Sequence, residues 1–475
     1  MFTILSGVNY ISSYRLLRVY KTWQKVIMKE ELMPRSRSDP VIKKLDNPLF
    51  HSIFTPELNT LAQLFKKYNY QLKIAGGAVR DILMDIKPVD LDFATNATPE
   101  EMKSMFEKEN IRMINNKGEK HGTITSRIND KENFEVTTLR IDTYTDGRHA
   151  IVKFTKDWKL DALRRDLTIN SMFLDFEGRI YDYFFGYDDL QKRRVVFVGN
   201  PTCRIKEDYL RILRYFRFYG RIAEQPDIHD ESTIIAIKEN VHGLEGISGE
   251  RIWNEWSKIL SGNFAKELTL KLLECGIARY VGLPENPNIK NFEIVHDTSK
   301  KNNISLQPIT YLAVMLKDEN EVLQLHNRLK LSAYERDLAL FLVRFGEDKP
   351  SVNLKFYKGL FIHWKGNVVN ARSYICELLN SKQYFSLAKD VEKLVIPRFP
   401  VSGDMLKQYV RKGKMMGIVI KELKDIWLDK NFETNAEELL KEVPRIISEL
   451  EDKKLEKDNM LLRIRRRKAI IHIMY

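Results

Sequence analysis

Cysteine is scarce in this chain of 475 residues, and long apolar runs are missing. Cys203, Cys275 and Cys376 are scattered, with neither metal-ligand spacing nor an obvious pairing, which argues against a disulfide scaffold and fits a reducing compartment. No apolar stretch is long enough to span a bilayer, so no membrane partner is expected. Acidic residues are missing at one place: none precedes Glu30, while Arg15, Arg18, Lys21, Lys25 and Lys29 lie among Leu16, Leu17, Val19, Tyr20 and Trp23. An acid-free, Arg- and Ser-bearing amphipathic start of this kind reads as a mitochondrial presequence over residues 1–30, with an ordinary surface helix as the alternative. A second start at Met28 or Met33 would omit the segment and leave a cytosolic or nuclear form.

What the chain does contain is folded-domain composition and positive charge. At 43% hydrophobic residues and this length, several domains are expected rather than one core. A formal charge of +13 raises the question of a polyanionic partner without answering it.

The most informative stretch runs from Lys73 to Thr98. Gly76-Gly77 follows a short apolar run and precedes helically spaced Val79-Arg80-Asp81-Ile82-Leu83, so the glycines sit where a strand hands over to a helix N-terminus. Free N–H groups and the helix dipole favour phosphate there. A second strand is expected at Val89–Ala94, and its period of two puts Asp90 and Asp92 on one face. Paired carboxylates repel unless a cation lies between them, and such oxygen donors suit Mg²⁺. A Rossmann dinucleotide site is a poor fit, because the G-x-G-x-x-G spacing is absent and the acidic pair follows too soon.

A helical pattern over Pro48–Lys67 leads into that stretch, and Thr98-Pro99-Glu100-Glu101 caps a helix to about Glu109. Strand-like runs follow at Ile111–Asn115, Gly122–Ile128, Phe134–Arg140 and Ala150–Phe154. Glu135 lies in the third, where a solvated edge-strand glutamate is the plain reading. Arg140–His149 is polar and turn-forming. Asp157 caps a helix ending in Arg164-Arg165-Asp166, and Phe173–Phe176 pairs with Ile180–Tyr183 across Glu177-Gly178.

From Thr202 the pattern turns helical. Its first helix, RIKEDYLRILRYFRFYGRI, sets Arg211, Arg214, Arg217 and Arg221 at intervals of three or four, with Asp208 one turn before Arg211. Alone, this is a solvated cationic face with a local salt bridge. The remaining helices show no repeat of fixed period. His229-Asp230 and His296-Asp297 lack the further histidines that metal phosphohydrolase chemistry needs. The basic run Arg463–Lys468 could touch RNA, act as a nuclear signal or be an exposed end.

Singly these signals are modest; their order is not. Gly76-Gly77-x-Val79-Arg80-Asp81, Asp90-x-Asp92, Arg164-Arg165-Asp166 and Glu207-Asp208-x-x-Arg211 together resemble the class II tRNA nucleotidyltransferases, the CCA-adding enzymes of the polymerase β superfamily. The likeness is close over residues 70–260 and weaker through Pro400–Phe432. It implies an α+β fold: a small mixed β-sheet nucleotidyltransferase head (48–199) followed by an all-α neck (200–262), body (263–395) and tail (396–475). It also implies that Asp90 and Asp92 bind two Mg²⁺ ions with Glu135 as third carboxylate. Gly76, Gly77 and Arg80 would lie on the triphosphate, and Arg165 and Asp166 on phosphate and ribose. Asp208 and Arg211 would face the base, with Arg214 and Arg217 continuing that surface. CTP and ATP would be the substrates and tRNA the partner. A bacterial-type poly(A) polymerase shares these head and neck motifs, and a catalytically dead RNA-binding protein is the alternative of another class.

The base choice follows from hydrogen bonding alone. Cytosine and adenine present an exocyclic amine beside a ring-nitrogen acceptor, whereas uracil and guanine present a carbonyl beside a ring N–H. A fixed aspartate and arginine would therefore admit C and A and reject U and G. Ordered addition needs the pocket to change between steps, and the Asp142–His149 segment is a candidate lever.

Overall fold

The computed structural model describes residues 34–451 except 115, 146–149, 365–366 and 412. The expected presequence, the Met28 and Met33 starts and the basic run Arg463–Lys468 lie outside those residues. The chain divides into two compact units, one formed by residues up to 287 with 323–331, the other by 288–322 with 332 onward. Among the described residues no helix is long and apolar enough to cross a membrane.

The first unit carries an eight-stranded mixed sheet. Its strands are β1 (Val41–Lys44), β2 (Leu72–Ala75), β3 (Asp92–Thr95), β4 (Arg112–Ile114), β5 (Thr123–Ile128), β6 (Glu132–Thr138), β9 (Phe173–Leu174) and β10 (Arg179–Tyr181). They lie in the order β1-β10-β9-β2-β3-β6-β5-β4, antiparallel except for β3 beside β6. β1 was not evident from the sequence: it extends the sheet upstream of residue 48 by pairing Val41–Lys44 with Arg179–Tyr181. The period of two sends Phe93 and Val136 into the core, where Phe93 meets Phe134 edge-on at 5.8 Å, and turns Asp92 and Glu135 to the opposite face.

Four local expectations change. The pattern over Pro48–Lys67 is two helices, α1 (Pro48–Ser52) and α2 (Pro56–Lys67), because Pro56 cannot continue the first but suits the start of the second behind its Thr55 cap. The strand expected at Val89–Ala94 begins only at Asp92; Pro88 precedes it and Val89 is 94% exposed, so nothing pairs with that part. The segment expected as a loop from Arg140 is a strand over its described part, while residues 146–149, and with them part of the Asp142–His149 lever, lie outside the described residues. That strand, β7 (Arg140–Thr145), is paired antiparallel with β8 (Ala150–Phe154) as a two-stranded ribbon. The long helix from Arg204 is also two, described below.

Local signals hold where partners are close in sequence. Gly76, at φ +67°, turns β2 into α3 (Gly77–Leu83). Thr98 and Glu101 form a reciprocal capping box on α4 (Pro99–Lys108), and Asp157 caps α5 (Trp158–Arg164). After the hairpin of β9 and β10 the chain continues as α6 (Pro201–Glu207), α7 (Arg211–Ile222) and α8 (Gly249–Leu260). Leu213, Phe216 and Tyr219 bury the apolar side of α7.

The second unit is helical. One core gathers Tyr357, Phe361, Ile375, Leu379 and Val391, and another gathers Val401, Leu406, Leu423, Trp427 and Leu439.

Candidate active site

Gly76, Gly77, Arg80, Asp90, Asp92, Arg165, Asp166, Asp208, Arg211, Arg214 and Arg217 all line one cleft of about 1120 Å³ in the first unit. Glu135 is not among its lining residues, although it stands beside Asp92 on the neighbouring parallel strand. Gly76 is favoured by its backbone, at a φ of +67° that side chains rarely adopt, and a Cβ there would also lie 2.8 Å from Arg165 Nη1.

On the sheet side, Asp90, Asp92 and Glu135 are exposed. Asp92 keeps solvent access, yet the cleft walls desolvate its carboxylate and raise its pKa; the Arg165 guanidinium opposes this and Asp90 adds to it. Among the described residues no three His, Cys, Asp or Glu side chains form a ready metal cluster. The donor chemistry nevertheless fits a hard divalent cation, because Asp90 and Asp92 are mutually repelling oxygen donors at one strand entry.

The helix side is braced rather than solvated. Asp208 does not pair with Arg211. It ends α6 in an extended conformation and accepts from the Leu210 N–H at 3.1 Å, which breaks the helix, while its other oxygen accepts from Arg251 Nη2 at 2.7 Å. Arg211 instead donates to Glu207 at 2.6 Å and to the carbonyls of Arg204 and Arg164. Arg214 and Asp166 pair at 2.6 Å; burial alone would raise the Asp166 pKa, but Arg214 and Arg211 bring it down to about 2. Arg217 pairs with Glu255 at 3.1 Å. Arg80 contacts Asp81 at 2.8 Å and also Asn170, and Arg221 reaches the other Asp81 oxygen at 2.9 Å. The guanidiniums of Arg80, Arg214 and Arg217 all lie within 5.4 Å of the Phe218 ring centroid. Sequence reasoning missed Asp161, Asn170, Phe218, Arg251 and Glu255. Only the i,i+4 spacing of Arg251 and Glu255 on α8 was a signal, and it does not name their partners.

Residues 72–196 match the family described as "Poly A polymerase head domain", and residues 229–287 match "Probable RNA and SrmB- binding site of polymerase A". The mitochondrial CCA tRNA nucleotidyltransferases 1 of Mus musculus and Homo sapiens are each 49% identical over 403 residues, covering 84% of this chain and 92% of theirs. The chain belongs to the CCA tRNA nucleotidyltransferase family. A CCA-adding enzyme of Bacillus stearothermophilus, solved in complex with CTP, has the same fold, with TM-score 0.65 at 22% identity over 86% of this chain and 100% of that one. The Thermotoga maritima CCA-adding enzyme complexed with tRNA gives TM-score 0.59 at 19% identity, covering 86% and 99%. Membership in the CCA tRNA nucleotidyltransferase family favours that reading over a poly(A) polymerase, since the head match is shared whereas the likeness to CCA enzymes spans most of the chain.

Proposed function

We infer that this chain adds C, C and A to tRNA 3′ ends from CTP and ATP, without a nucleic-acid template and with release of pyrophosphate. The observation that carries the reading is the single cleft in which an acidic pair, a glycine turn and the arginine face of α7 meet. Asp90 and Asp92, with Glu135 beside them, would hold Mg²⁺, which when bound acidifies the attacking hydroxyl and stabilises departing pyrophosphate. The N-terminus of α3 at Gly77, with Arg80 beside it, supplies donors for the triphosphate. Arg165 and Asp166 hold phosphate and ribose.

Asp208 and Arg211 read the base. A carboxylate accepts from the exocyclic amine and a guanidinium donates to the ring nitrogen, a pattern that cytosine and adenine satisfy and uracil and guanine do not. Arg251 and Glu207 hold these two side chains before any base arrives, so little reorganisation is needed to discriminate. The neck thus acts as a protein-made template, and the helical body and tail hold the tRNA. The acid-free start directs the chain to mitochondria, and initiation at Met28 or Met33 leaves a cytosolic or nuclear pool.

The test is the order of nucleotides that the purified protein adds to tRNA trimmed of its terminal CCA. Incorporation of C, C and then A is expected; addition of A alone, or of nothing, would sink the reading.

A further inference from the structure

We propose that Asp161 is a positioning residue that sets the phosphate-holding and base-reading arginines of the cleft from one buried carboxylate. Its side chain is 1% exposed and is absent from the cleft lining, so it acts only through what it touches. Oδ1 accepts from Arg164 Nε at 2.8 Å and from the Arg140 backbone N–H at 3.1 Å, where the β7–β8 ribbon begins. Oδ2 accepts from Arg165 Nη2 at 3.1 Å and Nε at 3.3 Å. The Arg164 carbonyl in turn accepts from Arg211 Nη2 at 3.1 Å. Three segments are thereby tied to one acid: the root of the ribbon, the Arg164-Arg165 clamp and, indirectly, through the Arg164 side chain and then its carbonyl, Arg211.

A buried carboxylate with donors on both oxygens is a rigid point, because moving any one partner leaves charge uncompensated in a poorly solvated place. Burial by itself would disfavour its ionised form, yet Arg164 and Arg165 hold its pKa below the ordinary carboxylate value. A purely structural acid would secure α5 to the ribbon without altering nucleotide choice. The contact running through Arg164 to Arg211 makes choice the distinguishing readout.

The inference rests on the reading of the cleft as a C- and A-adding site. Its test uses full-length Asp161→Asn and Asp161→Glu with trimmed tRNA, measuring KM and kcat for CTP and ATP, CTP preference over UTP, CTP affinity without tRNA, and melting temperature. Asp161→Asn is expected to raise the KM for both nucleotides about tenfold to 100-fold, as small misplacements of binding groups do, and to weaken CTP binding and CTP preference with it. Asp161→Glu keeps the charge but moves the oxygens by one methylene, and a smaller shift in the same direction is expected. Combined with Arg211→Ala, Asp161→Asn should cost less than the sum of the separate losses. A folded Asp161→Asn variant that loses melting temperature while nucleotide KM, CTP affinity and CTP preference stay unchanged would overturn the proposal. If that variant does not fold, unchanged preference in Asp161→Glu overturns it equally. Wild-type protein that binds CTP but transfers none would instead defeat the functional reading, and CTP affinity would still score Asp161.

Discussion

On the sheet side of the cleft, Asp90 and Asp92 stand exposed at a strand entry, with Glu135 exposed beside Asp92 but outside the lining, whereas on the helix side Arg211, Arg214 and Arg217 are each gripped by a carboxylate. The difference matches two tasks. Under the proposed function, discrimination among bases needs donors and acceptors whose geometry is set in advance, and the ion pairs to Glu207, Asp166 and Glu255 would provide it. The proposed cation binding needs the reverse, adjacent carboxylates open to solvent; at Asp92 desolvation raises the pKa, Arg165 opposes this and Asp90 adds a smaller push upward.

Breaking the exposed side should cost most. Asp90→Ala is expected to lower nucleotide addition by about a thousandfold, several kcal/mol of lost metal assistance, while the melting temperature holds or rises because a repulsion is removed. Unchanged addition to trimmed tRNA would contradict the metal assignment. Next, Asp208→Ala or Arg211→Ala should reduce preference for CTP over UTP by about 100-fold, since a site built to hydrogen-bond one edge loses its means of rejecting another. Retained tRNA binding, measured by gel shift, separates this from loss of the partner.

On the braced side, Arg214→Ala leaves Asp166 buried without its main counter-charge and should destabilise the first unit by about 2 kcal/mol at neutral pH. The sign follows from the lowered carboxyl pKa. The stabilisation is full above the ordinary value of 3.8 and disappears as pH falls through about 2. Urea unfolding of the two proteins should therefore converge across that window, and a gap that persists at pH 2 would assign the loss to packing. The smallest effect is expected at Glu135→Gln. Because Glu135 stands beside Asp92 but outside the cleft lining, a loss of about tenfold, largely recovered by raising Mg²⁺, would place it as a supporting ligand.

Features whose partners lie within a few residues were legible beforehand: the Gly76-Gly77 turn, the Thr98 cap, the Asp157 cap and the hairpin at Glu177-Gly178. Errors cluster where a local pattern had a competitor. Asp208 carries helical spacing, but an aspartate bonding the backbone two residues on stops a helix as readily as it joins one. Arg140–Thr145 carries both turn residues and β-branched ones, and the pairing strand decided between them.

By itself the sequence determined which residue types stand at which spacing, and so the chemistry available: phosphate-friendly turn, acidic pair, clamp and cationic helix. Only the tertiary structure decided who holds whom. Arg217 meets Glu255, Asp208 meets Arg251 and Arg214 meets Asp166 across separations of 38, 43 and 48 residues. A guanidinium on a helix has several carboxylates within nominal reach, and the choice among them is made by which surfaces bury together, a property of the packed chain that no short window contains.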